Sequence, residues 1–374
     1  MISPKSFYEH LLKHDISFFT GVPDSLLKNL CFYISDHAKK RHIIAANEGN
    51  AIALAIGYYL SSNKVPMIYL QNSGLGNIIN PLLSLADKDV YSIPMLLVIG
   101  WRGKPGVKDE PQHKKQGRVM LSMLKSMEIE FEIIRNSDSR DQIKTKINRM
   151  IKRIKIQKMP CAVVIEKDVF KKYNKISKKR FRYELSREDA LHIILENIRK
   201  DSIIVSTTGF TSRELYEYRK NNCSRNPDFY TVGGMGHASQ IALGISINKK
   251  KEVICLDGDG SVLMHMGSLA INASINKKNY KHIVFNNGAH ESVGNQPTVG
   301  FDIDMSMIAK YSGYSLTLRA HTKTQVIKAI KKILEHKGTA FLEVLVKSNT
   351  RSDLSRPDKT PIENKKQLMS LINK

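Results

Sequence analysis

The sequence predicts an α/β protein with two domains, each built on a mainly parallel sheet flanked by helices. Short apolar runs typical of buried parallel strands alternate along the chain with longer amphipathic helical patterns. The 374 residues exceed one average domain and suffice for two, each large enough to bury a core. We place the first domain at 1–168 and the second at 184–374, joined by a basic linker at 169–183.

The composition is that of an ordinary globular protein, with 41% hydrophobic and 25% charged residues. The four cysteines are scattered and include no CxxC pair, so reduced thiols in a cytoplasm are the simplest interpretation. No apolar stretch follows a basic start at the N-terminus, and the longest apolar run, Ile93 to Trp101, is too short to span a bilayer. We expect a cytoplasmic protein without a membrane partner.

The net charge of +24 admits a second class of function, the binding of nucleic acid. However, the basic residues are spread over most of the length. The densest run, Lys171 to Arg182, has no acidic residue and lies between the two predicted domains. We interpret this run as the solvated linker. Because no helix-turn-helix, zinc or RNP pattern accompanies it, we expect no nucleic-acid partner.

Strands of the first domain end in polar turns. A strand at 16–20 leads into the sequence GVPDS, where Asp24 and Ser25 form either a helix cap or part of a site. A strand at 42–46 delivers Glu48 to the start of a small-residue helix. A glutamate at this position commonly has only a favourable interaction with the helix N-terminus. The sequence leaves both alternatives open at this point.

Two further strands of this domain precede longer turns. The strand at 66–70 is followed by QNSGLGN, a weak phosphate-loop pattern that more simply allows close approach of another backbone or a cofactor ring. The strand at 95–99 precedes a predicted loop at 101–116 with the only tryptophan, several cations and a histidine. We favour a substrate loop over disorder. The domain is completed by two strands and a basic helix, at 129–134, 162–166 and 142–156.

The second domain repeats the alternation of helices and strands. Thr211 and Glu214 have the spacing of a capping box, as do Thr360 and Glu363 before the last helix. Met235, in the glycine-rich segment GGMGHAS, is either a core residue or part of a ligand site. A helix is predicted at 186–198. Strands are predicted at 203–206, 229–232, 253–256, 282–285, 315–319 and 340–346.

The most informative stretch lies between Cys255 and Glu291. One strand ends in the sequence DGDG, and the next, some two dozen residues later, ends in Asn286-Asn287. Both turns then fall at the carboxyl edge of one sheet, where open α/β folds bind ligands. Asp259, the Asn287 side chain and a backbone carbonyl would suit Mg²⁺ carrying a diphosphate, whose charge would also face the amides after Gly260. The alternative is an ordinary turn with a stray acidic residue.

GDG followed at this distance by NN resembles the signature of the thiamin diphosphate (ThDP) enzymes. Further blocks, from Gly21 to Lys365, resemble the phosphonopyruvate decarboxylases, with the sulfopyruvate decarboxylases as near relatives. The blocks are GVPDS, QNSGLGN, GWRGKPGVKDEPQH, TTGFTSREL, GGMGHAS, NNGAHESVGNQPT and RPDKTPIENK. The resemblance implies the two ThDP-binding domains called PYR and PP, without a middle domain.

The resemblance implies ThDP and Mg²⁺ as cofactors, with metal ligands at Asp259, Asn287 and the Ala289 carbonyl. It implies that Glu48 hydrogen-bonds N1′ of the aminopyrimidine and that Met235 supports the bent cofactor. Further cofactor contacts are expected at Gly74, Thr208, Gly234, Gly258, Gly260 and Ser261.

The implied activity is that of a carboxy-lyase in phosphonate biosynthesis, which converts phosphonopyruvate to phosphonoacetaldehyde and CO₂. Candidates for proton transfer besides Glu48 are Asp24, His113, His290 and Glu291. The phosphonate needs several donors, and the candidates are Ser25, Arg102, Lys104, Lys108, Arg351 and Arg356. The resemblance also implies a homo-oligomer with active sites between subunits. Sulfopyruvate decarboxylation, a ThDP protein without catalysis and a basic nucleic-acid binder remain as alternatives.

Overall fold

The structure, a computed structural model, describes residues 1–176, 183–224 and 226–373. The chain divides into two units, Met1–Lys179 and Arg180–Lys374. Residues 177–182 of the predicted linker lie outside the described part of the chain. The start of that linker packs on the first unit, since the ring of Phe170 contacts the ring of Phe7. Among the described residues, no helix is both long and apolar enough to cross a membrane.

The first unit contains a six-stranded, fully parallel sheet in the order β2-β1-β3-β4-β6-β5. Its strands are β1 (Phe19–Gly21), β2 (His42–Ile44), β3 (Met67–Gln71), β4 (Leu96–Gly100), β5 (Phe131–Ile134) and β6 (Cys161–Ile165). Its helices are α1 (Pro4–Leu12), α2 (Lys28–His37), α3 (Glu48–Ser62), α4 (Leu75–Pro81), α5 (Pro111–Ser126) and α6 (Arg140–Gln157).

Both faces of this sheet are covered by helices, which explains its continuous apolar strands. In β4, Leu96 and Val98 belong to one buried cluster with residues of α1, α2 and α6. Leu97 and Ile99 point the other way and pack with residues of α3, α4 and α5. Polar side chains are therefore left to the ends of the strands.

The second unit has the same architecture, with a parallel sheet in the order β13-β14-β10-β9-β7-β8. Its strands are β7 (Ile203–Ser206), β8 (Asp228–Tyr230), β9 (Val253–Gly258), β10 (Tyr280–Asn286), β13 (Leu316–Ala320) and β14 (Ala340–Leu345), and β11 (Ala289–His290) and β12 (Gln296–Pro297) form an antiparallel pair. Its helices are α7 (Arg187–Asn197), α8 (Phe210–Asn221), α9 (Ala238–Asn248), α10 (Asp259–Met264), α11 (Ser268–Ile275), α12 (Met305–Tyr311), α13 (Lys323–Glu335) and α14 (Pro361–Ile372).

The structure confirms the predicted fold class of two parallel α/β sheets and corrects two local predictions. Helix α5 already begins at Pro111, so the predicted loop at 101–116 ends at Glu110. The capping box at Thr211 was wrong: Gly209 is the N-cap of α8, and Glu214 instead binds a buried arginine. The β11–β12 hairpin was not predicted. The capping box at Thr360 is present.

Candidate active site

The pairing of β9 with β10 brings Asp259 and Asn287 together. Val284 is opposite Asp257 and Phe285 is opposite Gly258, so the two strands end side by side. Asp259, the first residue of α10, has a side chain that is almost fully buried. Its carboxylate accepts hydrogen bonds from the Thr298 hydroxyl and from the backbone N–H of Asn287.

Burial raises the pKa of Asp259 to about 6, although the hydrogen bond from Thr298 opposes this shift. The Asn287 Oδ1 atom accepts the Ala289 N–H at 3.1 Å. A Cβ atom at Gly300 would lie 2.7 Å from Asp259 Oδ2, so only a glycine leaves this carboxylate its space. A buried carboxylate beside an amide oxygen is a donor set that suits a hard divalent cation.

A buried arginine is linked to this pair. Arg187 at the start of α7 donates twice to Glu214 at 2.8 Å and once to Glu291 at 2.9 Å. Glu291 accepts from Asn287 Nδ2 at 3.1 Å and from the Thr350 N–H at 2.9 Å. Burial raises the pKa of Glu291, but the charge of Arg187 lowers it. The pKa is below the ordinary value of a glutamate as a result. Glu291 is thus held as an anion that orients the Asn287 amide.

Other predicted cofactor residues line the glycine-rich backbone around α10. Ser261 Oγ accepts from Gly236 N at 3.0 Å and from Thr207 Oγ1 at 3.1 Å. A Cβ atom at Gly260 would lie 2.7 Å from His290 Nδ1 and 3.2 Å from Met235 Cε. This part of the backbone is therefore in close contact with both predicted side chains.

The remaining predicted cofactor residues lie in the turns that flank these elements. Gly258 is the extended N-cap of α10, and Gly234 has φ +64° in the turn after β8. Thr208 is half-buried before α8, and Ala289 lies in β11. Burial lowers the pKa of His290 to about 4, so its imidazole is neutral at pH 7.

In the first unit, Glu48 is the buried first residue of α3, with Asn47 as the N-cap. Its carboxylate accepts a hydrogen bond from Asn77 Nδ2 at 2.7 Å. Gly74 packs directly on this side chain, since a Cβ atom there would lie 2.7 Å from Glu48 Cγ and nearer still to the carboxylate. The local sequence therefore holds one carboxylate at the carboxyl edge of the sheet.

A second group in the first unit is centred on Arg102, after β4. Arg102 donates to Asp109 Oδ2 at 2.8 Å and to Ser25 Oγ at 2.8 Å. Asp24 is fully buried, and its Oδ2 accepts the N–H groups of Leu26 and Leu27 at 3.1 and 3.2 Å. These contacts close a turn ahead of α2, whose N-cap is Leu27 without a side-chain hydrogen bond, so the helix-cap alternative for Asp24 was wrong. The other carboxylate oxygen takes no part in the turn.

Two buried atoms of this group have no hydrogen-bond partner among the described residues, namely Asp24 Oδ1 and His113 Nδ1. Burial raises the pKa of Asp24 to about 6, against the opposing charge of Arg102. Burial and the same charge lower the pKa of His113 to about 4. A polar atom left unpaired inside a protein costs free energy unless a ligand satisfies it. Both atoms thus indicate a binding site.

The other predicted substrate cations lie elsewhere. Lys104 Nζ donates to Glu166 at 2.7 Å, and Lys108 is exposed. Arg351 is bound to Glu188, Glu217 and Asp353, and Arg356 is exposed in the segment before α14. Of the predicted cations, Arg102 is the one that the structure brings beside Asp24 and Ser25.

Sequence reasoning missed several residues of these groups, including Arg187, Thr298, Gly300, Asp109 and Asn77. Asp109 could have been identified from the sequence, because it lies in the predicted loop at 101–116 that was selected for its cations. Arg187 and Thr298 had no comparable pattern, since their partners are distant along the chain.

Comparison with known proteins matches one family model to each unit. Residues 5–126 match the family model of the thiamine pyrophosphate enzyme N-terminal TPP binding domain, and residues 207–344 match that of the C-terminal TPP binding domain. Each match falls within one of the two units and includes its predicted site residues near Glu48 or Asp259.

Three curated relatives align along most of the chain. Phosphonopyruvate decarboxylase of Streptomyces viridochromogenes is 31% identical over 358 residues, 92% of this chain and 88% of that protein. Phosphonopyruvate decarboxylase of Streptomyces hygroscopicus is 29% identical and covers 97% of this chain and 92% of its own. Sulfopyruvate decarboxylase of Methanosarcina acetivorans is 27% identical, with 93% and 92% covered. The chain therefore belongs to the thiamine pyrophosphate enzymes and, within them, to the phosphonopyruvate decarboxylase family.

Proposed function

We propose that this protein decarboxylates phosphonopyruvate to phosphonoacetaldehyde and CO₂, with ThDP and Mg²⁺ as cofactors. The similarity to phosphonopyruvate decarboxylases along nearly the whole chain supports the substrate. The observation that carries the proposal is the buried pair Asp259 and Asn287, because their carboxylate and amide oxygens would suit a hard cation such as Mg²⁺. In the reaction, the bond between the carboxylate carbon and C2 of phosphonopyruvate breaks and CO₂ leaves. A proton is added to C2, which becomes the aldehyde carbon of the product.

The second unit would hold the metal and the diphosphate. Asp259 Oδ, Asn287 Oδ1 and the Ala289 carbonyl are the proposed metal ligands, with the backbone around Gly258–Ser261 and Thr208 facing the diphosphate. Glu291 keeps the Asn287 amide in one orientation, since it accepts from Asn287 Nδ2. ThDP, when bound, supplies the electron sink that the loss of CO₂ requires.

The first unit would supply the acid–base groups. We propose that Glu48 hydrogen-bonds the aminopyrimidine ring, because its carboxylate is buried and held by Asn77. Asp24, with a pKa of about 6, can take up and release a proton near pH 7, whereas His113, with a pKa of about 4, is neutral there and can serve as a hydrogen-bond partner. Arg102 is the proposed phosphonate ligand, with Asp109 fixing its guanidinium.

We further propose that the protein is a cytoplasmic homo-oligomer whose active sites need more than one subunit. This part follows the family resemblance, and sedimentation of the purified protein tests it. The proposal includes no nucleic-acid partner. Salt-resistant binding of DNA or RNA in a gel-shift titration would contradict that part, whereas weak binding that is lost with added salt reflects only the net charge of +24.

The deciding experiment measures CO₂ release from phosphonopyruvate, sulfopyruvate and pyruvate, with each cofactor present or omitted. We expect turnover of phosphonopyruvate that needs both ThDP and Mg²⁺. Glu48→Gln should lower kcat by at least about 100-fold, whereas Glu128→Gln, on an exposed side chain, should not change it. A preference for sulfopyruvate would keep the mechanism and change the substrate. No turnover of any 2-oxo acid with bound ThDP would exclude a decarboxylase.

A further inference from the structure

A polar cluster lies within the apolar core of the second unit, apart from the carboxylate and amide described above. Cys255 and Asp257 are two residues apart on β9, and His282 on β10 is paired with Cys255 across the ladder. All three side chains therefore project from the same face of the sheet. Each is almost fully buried, at 0%, 1% and 1% exposure.

One thiol sulfur, one carboxylate oxygen and one imidazole nitrogen meet in this cluster. In the described part of the chain, these three atoms lie within 4.8 Å of one another. Thiolate, imidazole and carboxylate are the ligands that zinc uses in proteins. The pair Asp259 and Asn287 offers only oxygen, so the two sets of side chains select different ions.

The distance between His282 Nε2 and Asp257 Oδ2 is 3.4 Å. An N–H···O hydrogen bond is commonly about 2.9–3.0 Å long. Two ligands bound to zinc at about 2.0–2.2 Å with tetrahedral angles are about 3.3–3.5 Å apart. The observed distance therefore matches two ligands of one ion better than a direct hydrogen bond.

Hydrogen bonds behind His282 fix the orientation of its partner Tyr314. Gln240 donates to Asn272 Oδ1 at 2.8 Å, so Asn272 Nδ2 is the group that donates to Tyr314 Oη, at 3.1 Å. The neighbouring Tyr280 hydroxyl donates to the backbone carbonyl of Ser239 at 3.3 Å.

Tyr314 Oη lies 3.2 Å from His282 Nδ1, where it can accept the Nδ1–H of a metal-bound imidazole. In that tautomer the lone pair of Nε2 faces Asp257 Oδ2 and Cys255. Two electron-rich atoms then point at each other inside the core, and a cation between them stabilises the arrangement. Metal-bound histidines commonly show this pattern, in which the second ring nitrogen donates to a fixed partner.

We propose that Cys255, Asp257 and His282 supply three ligands of a buried zinc ion, with a water molecule in the fourth position. The ion replaces the thiol proton of Cys255, which is released to solvent when zinc binds. It fastens β9 to β10 on the face opposite the cluster that contains Ile254 and Ile283. Because both strands end at Asp259 and Asn287, the ion also stiffens the support of that pair.

The test uses the full-length protein without a histidine tag, and it needs neither ThDP nor turnover. Elemental analysis should find about one zinc per chain. Protein produced in cobalt-supplemented medium should show a near-ultraviolet thiolate-to-cobalt charge-transfer band. Cys255→Ser should lose the band and the zinc. Cys161→Ser, which alters a buried cysteine of the first unit, and Asp259→Asn should keep both.

Folded wild-type protein without a transition metal, or cobalt protein without the thiolate band, overturns the proposal. A band that persists in Cys255→Ser also overturns it, because the sulfur ligand must then lie elsewhere. If Cys255→Ser does not fold, the wild-type cobalt spectrum still decides, with His282→Asn as the second variant. An inactive protein that shows the band would contradict only the decarboxylase proposal.

Discussion

Arg187 acts on the candidate metal site without touching it. Its guanidinium is buried and holds Glu291, which in turn accepts a hydrogen bond from Asn287. Glu214 and Thr350 complete the shell around the arginine. A side chain that orients a metal ligand through one intermediate group commonly changes metal affinity when it is removed.

We expect Arg187→Met to weaken Mn²⁺ binding in the presence of ThDP by about 10–100-fold, read by electron paramagnetic resonance. Arg219→Met is the control, because half-buried Arg219 is the partner of a buried carboxylate, Asp228, in the same unit. Arg187→Met leaves two buried carboxylates without their cation and Arg219→Met leaves one, so both variants lose stability. If Arg219→Met weakens Mn²⁺ binding as much, the loss reflects general destabilisation and the orienting role is refuted.

Asp24 should make stability depend on pH. Burial raises its pKa to about 6 in the folded protein, whereas the unfolded value is about 3.9. The folded state therefore binds this proton more tightly, and stability falls as the pH rises from about 4 to about 7. Asp24→Asn removes that loss. The change that this substitution causes in the free energy of unfolding should therefore be up to about 3 kcal/mol more favourable at pH 7 than at pH 4.

Urea unfolding midpoints at several pH values measure this difference. Asp138→Asn is a control in which the pH dependence should have the opposite sign. Burial raises the pKa of Asp138, but the hydrogen bond from Lys146 lowers it, and the pKa is below its ordinary value as a result. That variant should be destabilised at neutral pH, and the effect should vanish as the pH falls through the folded pKa. A gain for Asp24→Asn that is the same at all pH values would exclude the buried charge as its cause.

At the scale of elements, the turn between β3 and α4 determines how closely α3 can approach. Gly74 and Gly76 lie two residues apart in the same turn sequence, but only Gly74 has a crowded surrounding. A Cβ atom at Gly74 would overlap the Glu48 carboxylate, whereas one at Gly76 meets no atom within 4 Å.

Gly74→Ala should therefore displace Glu48 and lower kcat by at least about tenfold, because small misplacements of a catalytic group are costly. Gly76→Ala should retain activity and stabilise α4 by up to about 1 kcal/mol, since alanine favours the helical conformation over glycine and Gly76 lies in the first turn of α4. Steady-state kinetics and thermal unfolding of both variants check this. Equal activity in the two variants would show that contact with Gly74 does not position Glu48.

At the scale of the whole molecule, each unit has its own sheet and its own buried clusters on both faces. A core of this size supports independent folding. We expect the separately produced chains 1–179 and 180–374 each to unfold cooperatively on heating, as followed by circular dichroism. A half that shows no cooperative transition would mean that its stability depends on the other half.

Much of the fold followed from local patterns. The strand positions were predicted to within about three residues, because apolar runs bounded by polar turns are local properties of the chain. Glu48, Asp259 and Asn287 were also selected as candidates from local sequence, since each follows a strand and parallel strands place their ends at one edge. The hairpin at β11 was missed, because its two strands have only two residues each.

The sequence by itself determined the fold class, the two series of strands and the family, because periodicity, turn residues and short motifs are encoded by neighbours along the chain. The tertiary structure decided which polar groups share an environment. Glu214 binds Arg187 and does not cap a helix as predicted, and Asp259 accepts a hydrogen bond from Thr298. Burial and hydrogen bonding between distant residues decide such choices, and both exist only after the sheets have formed and packed.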